Sequence, residues 1–420
     1  ELWSFVKRIK GSTPTSLPAF KIDDKMITNC TDKANILVQQ YKNASSDIGY
    51  SPEFIDRKQK AKNPILNFID NERQPFFENC QYNKDFTMAE LNIALNNCKS
   101  GAPGKDKIHY DILKKLPVES KNTLLQLFNK SWNEGKTPKS WSEAVIIPLL
   151  KPNKDKNDPA SYRPISLTST FTKLMQKMIK PRLCNFLESQ KKISPFQSGC
   201  RAHNSCDDNL TRLESDGKRA QLQNKQLLAV FLDLSNAFDK MWNVGALSFL
   251  AKYGIRGRML RWLKDFLQTR SISVKYNGSC SDIVETINGC PQGSVLSPII
   301  FSLFMNSFNE AIIECNNSNI LLNANISQFV DDSAAWVISG TKKEAFNKMQ
   351  KILKCIQDWS EKWGFMINAS KTQVIYIERS KRASKINEFS DDFQKLELNG
   401  KQLQYKEKIK FLGMTIDKYL

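Results

Sequence analysis

Histidine is almost missing from this sequence: only His109 and His203 occur in 420 residues. The one arrangement with metal-like spacing, Cys200, His203 and Cys206, has no fourth thiol or imidazole nearby and reads as a cysteine-bearing loop, not a zinc site. The ten cysteines are scattered and include no C-x-x-C pair. That argues against a secreted disulfide framework and for reduced thiols in an intracellular protein. No apolar run approaches the roughly 18 residues a membrane helix needs; the longest are stretches such as Leu227–Leu232 and Ile299–Met305. Signal-peptide patterning, internal repeats and low-complexity tracts are absent too. A chain opening on Glu1, not Met, reads as a fragment or processed piece.

What is present is an ordinary globular composition, 40% hydrophobic and 25% charged. The length suffices for one large core or roughly two to three subdomains. Charge is lopsided: 62 Lys plus Arg against 43 Asp plus Glu leave a formal +19. Such a balance suits a polyanion-binding surface, although solubility alone can make a chain basic.

Residues 1–86 are polar, with Pro14, Pro18, Pro52, Pro64 and Pro75 set to interrupt any long helix, and carry no recognisable chemistry. Thr87 and Glu90 then form a capping box, and Leu91, Ala94, Leu95 and Cys98 follow at helical spacing up to Gly101. A second helix carries Leu124, Leu125, Phe128 and Trp132 and stops near Gly135 and Pro138. Ala144–Leu150 reads as a buried strand that Pro148 places at an edge or bulge, followed by a polar loop over 151–159. The helix over Phe171–Leu187 is expected to kink or break at Pro181. Gln226–Leu232 is an apolar strand ending on Asp233. Helices are predicted from Asn236 to Tyr253 and over 256–268, 294–312 and 342–363. In the last, Phe346, Met349, Leu353, Ile356 and Trp359 form a core stripe. A charged loop is expected over 378–392, with closing strands at 395–398 and 408–415. Strands interleaved irregularly with helices indicate an α+β class.

Two acidic sites stand out by position. A strand as apolar as Leu227–Leu232 is buried, and it delivers the Asp233 carboxylate at its exposed end. Asp331 and Asp332 lie between the strand-like Asn325-Ile326 and Ala335–Ile338, at the tip of a predicted hairpin. Asp-Asp is common at turns for conformational reasons alone. Converging carboxylates nevertheless repel one another, and several acidic oxygens are what Mg²⁺ takes as ligands. Two such ions about 4 Å apart can clamp the attacking and leaving oxygens of a phosphoryl transfer.

The surrounding motifs decide between these readings. Phe231-Leu-Asp-Leu-Ser-Asn-Ala-Phe-Asp239 resembles the first catalytic motif of reverse transcriptases, and Phe329-Val-Asp-Asp332 the third. Asn288-Gly-Cys-Pro-Gln-Gly-Ser-Val-Leu-Ser-Pro298 is similar to the second, its Gly289 and Gly293 allowing close backbone approach to a nucleotide. Ile147–Lys151, Ser161–Leu167 and Gln197-Ser-Gly-Cys-Arg201 resemble fingers motifs. Trp363–Thr372 resembles the motif-D loop, and Lys410-Phe-Leu-Gly-Met414 the primer grip. The style of these blocks points to the non-LTR (LINE-type) retrotransposon branch, with group II intron enzymes close behind.

The resemblance implies a right-hand polymerase, with an antiparallel palm sheet backed by helices. An N-terminal extension (1–86) would precede fingers (87–215), palm (216–377) and the end of the palm with the primer grip (378–420). The thumb is missing from this reading, and an endonuclease is expected in the full-length polyprotein. The implied roles are specific. Asp233 and Asp331 bridge two Mg²⁺ (Mn²⁺ being an alternative), Asp332 is the lesser ligand, and the Leu234 carbonyl meets the nucleotide-bound ion. Lys151 and Arg163 contact the triphosphate, where a guanidinium fork suits phosphate oxygens. Gln292 lines the nucleotide pocket, Phe238 is the gate against a 2′-hydroxyl, and Lys371 donates a proton to pyrophosphate. Phe411, Leu412 and Gly413 form the primer grip. Asp239 is expected to cap the following helix.

Three departures from the family pattern are Val330 for the usual Ala, Cys200 for a usual Phe, and Asn236 for a basic residue. The implied partners are template RNA, a DNA primer and dNTPs, with nuclear action and a cytoplasmic ribonucleoprotein also open. An RNA-dependent RNA polymerase is disfavoured, because those enzymes prefer Gly before the Asp pair and lack a bulky gate. A decayed copy that only binds nucleic acid is the other rival, although every candidate catalytic side chain is intact.

Overall fold

The computed structural model describes residues 19–22, 25–71, 75–318, 322–377 and 395–419. In chain order its strands are β1 (Phe20–Ile22), β2 (Lys25–Ile27), β3 (Glu143–Leu150), β4 (Tyr162–Leu167), β5 (Gln226–Leu232), β6 (Ser271–Tyr276), β7 (Ser279–Cys280) and β8 (Val284–Glu285). There follow β9 (Asn325–Phe329), β10 (Asp332–Ser339), β11 (Gln373–Ile377), β12 (Glu397–Leu398), β13 (Lys401–Gln402), β14 (Gln404–Tyr405), β15 (Lys408–Phe411) and β16 (Met414–Asp417). The charged loop expected over 378–392 lies outside the described residues.

One five-stranded sheet runs β14-β11-β5-β10-β9, antiparallel except where β11 meets β14. Its central strand is covered on both faces, which is why β5 reads as an unbroken apolar run without alternation. Leu228, Val230 and Leu232 join the large helical core, while Leu227, Ala229 and Phe231 join a second cluster with Ile409 and Phe411. The helix Lys342–Trp363 packs across β10 and β5 with Phe346, Met349, Leu353, Ile356 and Trp359 buried, as its stripe predicts.

The other five-stranded sheet runs β4-β3-β6-β7, with β8 on β6. Pro148 faces Pro164 across β3 and β4; neither can donate, so this pair exchanges no N–H bond. β3 is an interior strand between β4 and β6 and not the edge strand its proline suggests; its pairing with β6 ends at Ile146↔Val274, so Pro148 itself faces no acceptor on that flank. The capping box at Thr87 and Glu90 is present, and Gly135 closes the helix Val118–Glu134 with φ 65°.

Several expectations change. The helix Thr170–Ser189 continues through Pro181 without a break. An interior proline costs about 3 kcal/mol. The buried Leu174, Met175, Met178, Ile179, Leu183 and Leu187, at roughly 1.5–3 kcal/mol each, outweigh it. Pro64 likewise sits inside one helix, Pro52–Asn71, held against the helices Asn243–Lys252, Gly257–Gln268 and Lys342–Trp363. The helix expected over 294–312 is two, Ser297–Phe304 and Asn306–Ser318, and that from Asn236 to Tyr253 is also two, Ala237–Lys240 and Asn243–Lys252. The strand expected over 408–415 is the β15–β16 hairpin, because Leu412 (φ 48°) and Gly413 (φ 88°) form a left-handed two-residue turn. The reading of every cysteine as a thiol is corrected too. Cys315 and Cys355, 40 positions apart, are disulfide-bonded because the packed helices Asn306–Ser318 and Lys342–Trp363 bring their Cα atoms within 6.6 Å. Cys200 and Cys206 are free. Among the described residues no helix is long and apolar enough to cross a membrane.

Candidate active site

Sheet register builds the acidic centre. The last registered pair between β10 and β5 is Ser333↔Leu232, so one step further out Asp332 comes opposite Asp233. The β9–β10 hairpin closes at Asp332↔Phe329, leaving Val330 and Asp331 as its turn. Asp233 therefore meets Asp331 and Asp332, 98 and 99 positions further along the sequence, at one end of one sheet. The 366–372 segment flanks them: Ser235 N donates to Met366 O (2.8 Å), and Asn368 N donates to Asp233 O (2.8 Å). Leu234 bridges to Ile367. Lys371 Nζ lies 3.7 Å from Asp233 Oδ2 on an exposed flank.

The acids strain one another electrostatically. Burial pushes the Asp331 carboxyl up, and the Asp233 charge adds to that. Asp332 is pushed up to about 6, first by burial and then by Asp331 and Asp233. A cation would relieve this repulsion. Among the described residues no three His, Cys, Asp or Glu side chains form a group that could hold a metal ion. Mg²⁺, however, is commonly held by one or two carboxylates plus substrate phosphates. The hard, crowded oxygens at Asp233 and Asp331 fit that partial donor set.

Opposite charge gathers nearby. Burial lowers the Lys151 ammonium, and the charges of Arg163, Lys371 and Lys154 lower it further. Those cations therefore share one neighbourhood, with Lys371 linking it to Asp233. Arg163, on β4 opposite Leu149, is exposed. Lys151 Nζ donates to Ala160 O (2.9 Å).

The second motif packs on the first. Gly289 has φ 78°, and a Cβ there would sit 2.5 Å from Phe238 O; one at Gly293 would sit 3.1 Å from Ser166 O. The close approach these glycines permit is to protein backbone. Gln292 Nε2 donates to the Asp239 carboxylate (3.2 Å). Asp239 does not cap a helix. It lies inside the short helix Ala237–Lys240, whose N-cap is Asn236 at φ 49°, a conformation Asn tolerates well. Burial pushes the Asp239 carboxyl up to about 6, against the pull of Arg270 and Gln292. Phe238 is half-buried and stacks on Phe301 (4.6 Å, 17°). Phe411 packs against Phe231 (4.8 Å), with Leu412 and Gly413 at the adjacent turn. Cys200 is exposed at φ 62°.

Sequence reasoning missed what residues 45–58 contribute. Lys240 Nζ donates to Ser46 O (3.0 Å) and Ile48 O (2.6 Å), and Tyr50 Oη donates to Lys240 O (2.7 Å). Lys58 donates to Asp47 and to Asn288 Oδ1, the latter at 2.7 Å. The 45–50 loop, joined by Lys58 of the helix Pro52–Asn71, thus ties the first motif to the second. Its short polar sequence carries no signal beyond turn residues.

Residues 151–416 match the family described as reverse transcriptase (RNA-dependent DNA polymerase). The chain belongs to the reverse transcriptase family. This reverse transcriptase domain is similar to the RNA-directed DNA polymerase from mobile element jockey of Drosophila melanogaster, with 27% identity over 424 residues. That match covers 100% of this chain and 43% of the relative. The jockey polymerase of Drosophila funebris is 30% identical, over 80% of this chain and 35% of its own. The probable polymerase from transposon BS of Drosophila melanogaster is also 30% identical, over 76% and 34%. The chain thus spans less than half the length of these relatives. Their mobile-element character agrees with the non-LTR style of the motifs. Among solved structures, a truncated apo telomerase from Candida tropicalis matches with TM-score 0.45 and 13% identity, over 74% of this chain and 59% of that one.

Proposed function

We propose that this domain is an RNA-directed DNA polymerase of a non-LTR retrotransposon, adding dNTPs to a primer 3′-hydroxyl on an RNA template. The observation that carries this is the meeting of Asp233, Asp331 and Asp332 at one sheet end beside the Lys151–Arg163–Lys371 cations. Asp233 and Asp331 would hold Mg²⁺, or Mn²⁺ in its place, with the Leu234 carbonyl as a further oxygen. Bound there, divalent ions supply stabilisation of the attacking and leaving oxygens.

The remaining work falls to the chain's own groups. Lys151 and Arg163 bind and orient the triphosphate, and Lys371 protonates the departing pyrophosphate. Phe238, braced by Phe301, excludes a ribose 2′-hydroxyl; Gln292, oriented by Asp239, lines the nucleotide pocket. Phe411, Leu412 and Gly413 steady the primer end. The β3–β4 sheet is read as fingers and the β5–β10 sheet as palm, over 87–215 and 216–377, although β6 pairs with β3 across that boundary. The full-length protein would carry an endonuclease and act in the nucleus.

Primer extension on poly(rA) with oligo(dT) and dTTP by the full-length protein tests the reading. Asp331→Ala must lose extension while primer–template binding persists; retained synthesis would sink the assignment. Comparing dTTP with UTP incorporation separates it from an RNA polymerase. A parent protein that binds but never extends would mark a relic.

A further inference from the structure

Val330 holds φ 60°, a left-handed conformation that a β-branched residue rarely adopts. It occupies the hairpin turn immediately before Asp331, so whatever fixes Val330 also aims that carboxylate. The fixing group is Gln197, fully buried at 0% exposure. Its Oε1 accepts from Val330 N (2.8 Å), and its Nε2 donates to Val330 O (3.2 Å). One side-chain amide thereby satisfies both backbone groups of the strained residue. The same Oε1 also accepts from Gly199 N (2.9 Å), which bends the 197–199 segment around the turn.

Two further features make this a built contact. A Cβ on Gly199 would lie 2.5 Å from Val330 N and 2.6 Å from Val330 Cγ2, so only glycine lets the segment lie this close. Beneath the turn, Gln328 is also 0% exposed and is held from several sides. Its carbonyl accepts from Ser198 N (3.0 Å) and Asn209 Nδ2 (3.0 Å), its side chain accepts from Asn309 Nδ2 (2.7 Å), and its Nε2 donates to Ser333 Oγ (3.2 Å). The strand before the turn and the strand after it are therefore locked on either side of Val330.

We infer that Gln197 is a positioning residue that clamps Val330 in the left-handed region and so aims the Asp331 carboxylate. This rests on the proposed polymerase reading for its catalytic consequence, while the clamp itself is a statement about the turn. Backbone strain of this kind persists only where the surroundings over-determine it. Without the amide, Val330 relaxes toward an extended conformation and the tip carrying Asp331 shifts.

The test uses the full-length protein in two arms. In the first, hydrogen exchange by mass spectrometry reads the peptide spanning 329–332. Gln197→Ala should speed exchange there, with the melting temperature close to that of the parent. In the second, primer extension should show kcat falling by about ten- to a hundredfold, with KM for dTTP nearly unchanged. Adding Val330→Gly, which adopts the left-handed turn without strain, should recover roughly tenfold of the loss. Unchanged exchange in Gln197→Ala, or no recovery with Val330→Gly, overturns the clamp. Should Gln197→Ala fail to fold, Gln197→Met keeps the volume, removes the amide and must give the same pattern. A parent without polymerase activity defeats the polymerase reading alone, since the exchange arm still decides the clamp.

Discussion

The two five-stranded sheets carry opposite charge and are built differently for it. The β14-β11-β5-β10-β9 sheet presents Asp233 from a central strand buried on both faces, and Asp331 and Asp332 from the hairpin beside it. The β4-β3-β6-β7 sheet presents Arg163 from its edge strand β4 and Lys151 from just past the end of β3, beside the Pro148–Pro164 pair. Each end repels itself: Asp331 and Asp332 are pushed up by burial and by their acidic neighbours, and Lys151 is pushed down by burial and by its basic ones. A metal ligand must hold its position to a fraction of an ångström, which suits a central strand. A phosphate contact needs charge and reach, which an exposed edge supplies. The difference teaches that rigidity was placed where geometry matters and exposure where only charge does.

The largest way to break this comparison is to remove acid from the rigid sheet. Asp233→Asn should abolish dTTP incorporation while leaving filter binding of primer–template intact. Measurable turnover in that variant would mean the sheet end is not the reacting centre. Next in size is the junction between the first and second motifs. Gly289→Ala forces a Cβ at φ 78° to within 2.5 Å of the Phe238 carbonyl. It should lose about 2–4 kcal/mol in urea unfolding. A loss below about 0.5 kcal/mol would show that the loop can move away.

The edge sheet should answer differently. Arg163→Ala removes a phosphate-directed fork from an exposed position. It should raise KM for dTTP about tenfold with little change in kcat, the pattern of a lost ground-state contact. A fall in kcat with KM constant would move Arg163 into the same role as the acids and erase the contrast between the sheets.

How much of this was legible beforehand follows the range of the interactions. β5, the helix Lys342–Trp363 and the capping box at Thr87 are local patterns, and the sequence displays them directly. The hairpin carrying Asp331 and Asp332 was also readable from the strand-like stretches Asn325-Ile326 and Ala335–Ile338, although its turn is Val330–Asp331 and Asp332 is already the first residue of β10. What escaped depends on partners distant in sequence. Pro181 and Pro64 sit within continuous helices only because of what covers them. Asp239 is half-buried beside Gln292 and Arg270 where a helix cap was expected, and Cys315 finds Cys355 through helix packing. Lys240 was one of many lysines until Ser46, Ile48 and Tyr50 surrounded it.

The smallest expected effect concerns pH, and it asks whether the acidic end is strained as described. A carboxyl whose folded pKa lies above its unfolded value binds protons more tightly when folded. Its stabilisation is therefore complete below pH of about 4 and is lost as pH rises toward about 6. Asp332, pushed up to about 6, and Asp331, pushed up as well, should make the apo protein less stable across that window. Although its surroundings are dense enough to raise the carboxyl, the Asp332 side chain still meets solvent, and screening holds its share to about 1 kcal/mol or less. Asp239 titrates in the same range, so the parent must be compared with Asp332→Asn, in which the Asp239 contribution is common to both. Calorimetric melting in EDTA should fall less steeply between pH 4 and 6 in the variant, and millimolar Mg²⁺ should flatten the parent's slope. Coincident slopes for parent and variant would show that the sheet end carries no electrostatic strain for a cation to relieve.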